Sequence, residues 1–104
     1  MTAFAAAIEA LFADPNLAVD ALYRADGADP GIPVRVIARR PDRIGEFGET
    51  RILTKTTMFD IRASEIAAPA EGDTIVMDGS TYVIQGEPIR DAERLVWTIE
   101  ARLP

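Results

Sequence analysis

The dipeptide Asp78-Gly79 stands between two apolar-rich runs, Thr74–Met77 and Ser80–Ile84. A two-residue connection of this kind needs positive φ at both central positions, and Asp-Gly is among the pairs that tolerate it, so the stretch predicts a β-hairpin closed by a type I′ turn. The turn also sets the register. Met77 faces Ser80, Val76 faces Thr81, Ile75 faces Tyr82 and Thr74 faces Val83. Ile75, Tyr82 and Ile84 then share a core side, while Val76 and Val83 leave the other side partly apolar and open to being covered. Gly86 to Pro88 ends the second strand, because proline cannot donate to a ladder.

Two further stretches carry the period of a strand. In Ile32 to Arg40, the side chains Ile32, Val34, Val36 and Ala38 fall on one face, with Arg35, Ile37 and Arg39 on the other. Near the C-terminus, Leu95, Trp97, Ile99, Ala101 and Leu103 point one way and Arg94, Val96, Thr98, Glu100 and Arg102 the other, which places Trp97 mid-core. Val19 to Ala25 alternates more weakly, and Arg51 to Arg62 has β character through Ile52, Leu53, Met58, Phe59 and Ile61. Ala63 to Gly72 reads as a helical turn followed by a proline-terminated connection. Thr2 to Ala13 is the one substantial helix, with Phe4, Ile8, Leu11 and Phe12 on a stripe, ending at Asp14-Pro15. A helix of about a dozen residues is marginal alone in water, so the stripe must dock on its own barrel or on a neighbour's.

At 104 residues the chain supports one domain, because about two-thirds of the unfolded surface is buried at this size and a second core would be too small. The expectation is a mainly β domain over residues 1–104, a small antiparallel barrel or sandwich of five or six strands within 19–103, with an N-terminal helix in 1–14 and a long exposed loop at 41–51.

The absence of cysteine and histidine removes disulfides, thiolate and imidazole metal sites and histidine-based triads. A net charge of −6, spread evenly over the two halves, leaves no basic footprint for nucleic acid and favours solubility before a partner is met. No apolar run reaches the roughly 20 residues of a membrane span and no basic secretion start is present, so the chain reads as soluble and assembled in the cytoplasm. No cofactor or metal is expected. The acids Glu71, Asp73, Asp78, Glu87 and Asp91 lack the spacing of a calcium loop and read as turn chemistry. Gly45 and Gly48 make no phosphate cradle. Arg35, Arg39, Arg40 and Arg43 form a basic cluster better read as a solvated strand face or as ion pairs with Glu46 and Glu49.

Pro41 to Arg51, PDRIGEFGETR, breaks every period and sets Ile44 and Phe47 among charges and glycines, where neither can join a regular core face. Either it is a contact that orders on binding, with Arg43, Ile44, Glu46, Phe47, Glu49 and Arg51 as the interacting residues, or it tucks over its own barrel.

Taken together, VRVIARRPD, MFDIRASEI, GDTIVMDGSTYVI and LVWTIEARL resemble the head-to-tail joining (head completion, or stopper) proteins of long-tailed phages and gene transfer particles. The matching positions are Pro41-Asp42, Phe59 with Arg62, Gly72-Asp73-Thr74, Tyr82-Val83 and Trp97, within Val34 to Arg102. The resemblance implies a non-catalytic β-barrel at the neck of a virion or phage-like particle. It implies a monomer when free and a ring in the particle, a hexamer being the expectation. The portal or adaptor ring and tail terminator proteins would be its partners, and the DNA channel would lie close by. A small-ligand or sugar-binding barrel is the alternative, which a deep pocket lined by Tyr82 or Trp97 would favour.

Overall fold

The computed structural model describes residues 3–28, 30–39 and 56–103. Among them the chain forms one α-helix, α1 (Ala3–Ala13), a short 3-10 turn (Ala25–Gly27), and the strands β1 (Val19–Arg24), β2 (Ile32–Arg39), β3 (Thr56–Arg62), β4 (Thr74–Met77), β5 (Ser80–Ile84), β6 (Ile89–Arg90) and β7 (Val96–Arg102). All strand pairings are antiparallel. The order β3-β2-β1-β4-β5-β7 returns to its start through a β3–β7 ladder, closing six strands into a barrel. Closure leaves those strands without open edges, which is how a small sheet escapes edge-to-edge association.

The β4–β5 hairpin has the register its turn demands, Thr74↔Val83 through Met77↔Ser80, and φ is 52° at Asp78 and 78° at Gly79. Strand β7 is the seam. One edge pairs with β3 from Thr56↔Arg102 to Arg62↔Val96. The other edge is shared, with β5 taking Ala101 and Arg102 and β6 taking Trp97 and Thr98. Between them the Gln85 N–H donates to the Glu100 carbonyl at 2.9 Å. Pro88, which has no N–H, lies in the gap before β6.

The inward faces fill the interior. Val36, Phe59, Ile61, Ile75, Ile84 and Ile99 are fully buried, and Phe59 meets the buried Tyr82 ring edge-on at 5.2 Å. Each large apolar side chain of this kind contributes about 1.5–3 kcal/mol by leaving water. Val34 and Val36 lie in this core, as the alternation of β2 requires, but Ile32 at the strand's start is 51% exposed. Leu103, one residue past the last β7 pair, is 37% exposed rather than inward. Trp97 is half-buried at the edge of the core, not at its centre, which Ile99 and Ala101 occupy. The reason is its neighbours: at Trp97 the second edge of β7 is covered only by the two-residue β6, so the indole reaches over the rim and its N–H donates to the Ile66 carbonyl at 2.9 Å.

Candidate assembly surface

The arginines of the outer barrel face decide where α1 sits. Arg35, outward on β2, donates from Nε to the Phe12 carbonyl and from Nη2 to the Ala18 carbonyl, both at 3.1 Å, and from Nη1 to Asp20 at 3.0 Å. A cation on the last carbonyls of a helix answers both their open acceptors and the negative end of the helix dipole. Arg62, at the end of β3, bonds Glu9 of the helix at 2.6 Å and Glu65 at 3.0 Å, and its guanidinium lies over the Phe12 ring, 5.3 Å from the centroid. Phe12 is the one buried residue of α1. Thus the helix is fastened at its C-terminal end.

The rest of the stripe is less covered: Phe4 is 48% and Leu11 44% exposed and Ile8 is half-buried, so two of its four side chains lack the cover that a short helix needs. Clefts flank the helix on both sides and Ile8 lines both. One, of about 490 Å³, runs between Phe4, Leu11 and Phe12 and the outward residues Ile37, Asp60 and Val96. The strand register sets Ile37, Asp60 and Thr98 in one row across β2, β3 and β7, and Asp60 binds Arg39 at 2.8 Å and accepts from Thr98 Oγ1 at 3.3 Å. The other, of about 350 Å³, opens between Ala5, Ile8 and Glu9 and the β6–β7 turn with Arg90, Arg94 and Leu95. In β6 itself, Ile89 is 69% exposed.

Of the acids read as turn chemistry, Asp78 and Asp91 serve their turns, whereas Asp73 and Glu71 also bond groups distant in the chain. Asp73 is buried and accepts from the Tyr23 hydroxyl, from the Asp26 N–H at 2.9 Å and from the Ala70 N–H at 3.0 Å. Burial, then the bond to Asp73 and its charge, hold the Tyr23 hydroxyl well above the ordinary range. Asp91 accepts from the Leu95 and Val96 N–H groups at 2.7 and 2.9 Å, and the Val96 bond leads in holding its carboxyl below the usual 3.8. Glu71 accepts from the Gly86 N–H at 3.2 Å, and Asp78 forms the hairpin turn. Among the described residues no group of three or more acids is placed to hold a metal ion, and no helix is long and apolar enough to cross a membrane.

Of the basic cluster, Arg35 and Arg39 are engaged as described, while Arg40 and Arg43 lie outside the described residues, as do Ile44, Glu46, Phe47, Glu49 and Arg51. The sequence reading missed what Arg35 does, because its acceptors are backbone carbonyls that leave no mark in a sequence. It read Asp91 as turn chemistry, which the Asp91–Val96 turn bears out, without naming the Leu95 and Val96 N–H groups that its carboxylate accepts from. Tyr82 and Trp97 serve packing: one is inside the barrel, the other bonded to Ile66 and stacked under Arg90 at 4.7 Å.

A filled barrel with a helix fastened at one end presents surfaces for other proteins, and the comparison with known families agrees. The family model of the phage head-tail attachment protein matches residues 1–101. No match was found among curated proteins or among solved structures. With nearly its whole length accounted for by that family model, the chain belongs to the phage head-tail attachment protein family.

Proposed function

We propose that the protein acts at the neck of the particle as a stopper: a ring of copies sits between the portal or adaptor ring of the DNA-filled head and the tail terminator, and helps close the DNA channel. The observation that carries this reading is the arrangement of α1, whose C-terminal end is bound to the barrel while Phe4 and Leu11 stay open to solvent. An apolar face left open on a short helix is the mark of a surface completed by a neighbour. The family supports a structural rather than an enzymatic role. The charge of −6 opposes association of free subunits, which supports a monomer that is recruited onto the head, and a weak affinity for DNA suits a part that borders a DNA channel.

Of the two readings the sequence leaves open for the segment 41–51, we propose the partner contact. Phe47 and Ile44 would be the buried anchors and Arg43, Glu46, Glu49 and Arg51 the polar rim. Replacing both Ile44 and Phe47 by Ser should leave the melting temperature unchanged while heads fill with DNA and fail to join tails. A large drop in melting temperature, or a stable variant that yields infectious or transducing particles at the normal titre, would refute the assignment.

A further inference from the structure

The cleft between α1 and the β6–β7 turn holds two arginines with no acid of their own. Among the described residues, Arg35 pairs with Asp20, Arg39 with Asp60, and Arg62 with Glu9 and Glu65. Arg90 meets only the face of Trp97, which orients a guanidinium without neutralising it. Arg94 bonds through its backbone alone, its N–H donating to the Asp91 carbonyl at 2.9 Å. Glu9, the acid of this cleft, is already taken by Arg62.

The backbone of Arg94 makes the case sharper. The turn is locked by the Asp91 carboxylate, which accepts from the N–H groups of Leu95 and Val96, and this lock holds Arg94 at φ 61°. That is the left-handed region, where glycine sits without penalty and a long side chain does not. The fold therefore carries a conformational cost at Arg94, met by the hydrogen bonds of the turn, while the Arg94 side chain itself makes no hydrogen bond or ion pair among the described residues. Local rules are broken in this way where a side chain serves something outside the fold.

We propose that this cleft seats a carboxylate-bearing, apolar polypeptide segment of the adjoining head or tail component, with Arg94 and Arg90 as its charged anchors. Ala5, Ile8, Ala63 and Leu95 supply an apolar floor, and the arginines at the rim supply planar donors that match a carboxylate. The complementarity is local: a positive cleft on a chain of net charge −6 selects an acidic segment there and nowhere near the hairpin tip with Asp78. Phosphate would satisfy the arginines, but it has no use for the apolar floor and meets the negative field of the whole chain. The inference rests on the joining role proposed above.

The test uses tailless heads made without this protein, isolated tails, and the purified full chain as wild type, Arg94→Gly, Arg94→Glu and Arg94→Lys. Arg94→Gly should melt no lower than wild type, because it relieves the left-handed strain, yet joined particles should fall by about tenfold or more, as for a lost interface anchor. Arg94→Glu should join still less, and Arg94→Lys should keep part of the activity. If Arg94→Glu joins as well as wild type, the cleft is not the seat. If wild type binds a fluorescent duplex oligonucleotide and Arg94→Glu does not, the ligand is nucleic acid and the polypeptide assignment is wrong. Failure of the wild type itself to join heads to tails would instead overturn the joining role.

Discussion

Removing the Asp73 carboxylate should cost more than any other single polar change in the barrel. Asp73 is 7% exposed and binds three donors: the hydroxyl of Tyr23 on β1 and the N–H groups of Asp26 and Ala70. It thereby ties the end of β1 to the connection that leads into β4. In Asp73→Ala the Tyr23 hydroxyl is left dry, because Tyr23 is 3% exposed, while Asp26 and Ala70 are at the surface and can take water. A buried donor without a partner costs about 1–3 kcal/mol, so the hydroxyl at full cost and the two N–H groups at partial cost give about 3–4 kcal/mol. That is a large share of the 5–15 kcal/mol typical of a small domain and, at about 4–8 °C per kcal/mol, a drop in melting temperature that is easy to measure. Tyr23→Phe should cost about 1–2 kcal/mol, and the double variant should be no worse than Asp73→Ala, a coupling of about 1–2 kcal/mol. Urea unfolding followed by the fluorescence of Trp97, the sole tryptophan, reads the whole cycle. Additive single costs, or an Asp73→Ala loss below about 1 kcal/mol, would refute the reasoning. The pH dependence has a definite sign. Because the folded state raises the Tyr23 hydroxyl, its contribution is complete below about pH 10 and is lost as pH rises beyond that, so wild type should lose stability there faster than Tyr23→Phe.

Two other substitutions separate backbone from contact effects. Gly79→Val should destabilise the hairpin by about 1–2 kcal/mol or more purely through φ, since a Cβ at this position meets nothing within 4 Å; an unchanged urea midpoint would show that the turn relaxes freely. Arg35→Met keeps the length of the side chain but removes its bonds to the Phe12 and Ala18 carbonyls, so amide exchange should quicken through α1 while β3 and β7 stay protected. Equal loss of protection in helix and barrel would mean that the two unfold together.

The parts of this fold that depend on neighbouring residues were legible in the sequence. Asp78-Gly79 dictated a register that holds at every pair of β4 and β5, and the alternation of Val34 and Val36 dictated the inward face of β2. What depends on closure was not. Nothing in Val19–Arg24 says that Leu22 will lie beside Val76, and the bond from Tyr23 to Asp73 spans fifty positions of chain. The same limit moved Trp97 from the centre to the rim, because a strand's alternation gives its faces but not which neighbours cover them. For the assembly surface, the stripe of α1 announced that it needed cover. Only the arginines of β2 and β3 show that the barrel provides it for Phe12 and leaves Phe4 and Leu11 to be covered by something else. Arg94 was invisible for a related reason: an arginine in a turn looks like any solvated charge until its φ and its lack of a partner are known.

That this chain joins heads to tails can be checked by electron micrographs of particles produced without it. Such samples should show tailless heads and separate, complete tails, with joined particles restored when the purified protein is added. Normally tailed particles in its absence would contradict it.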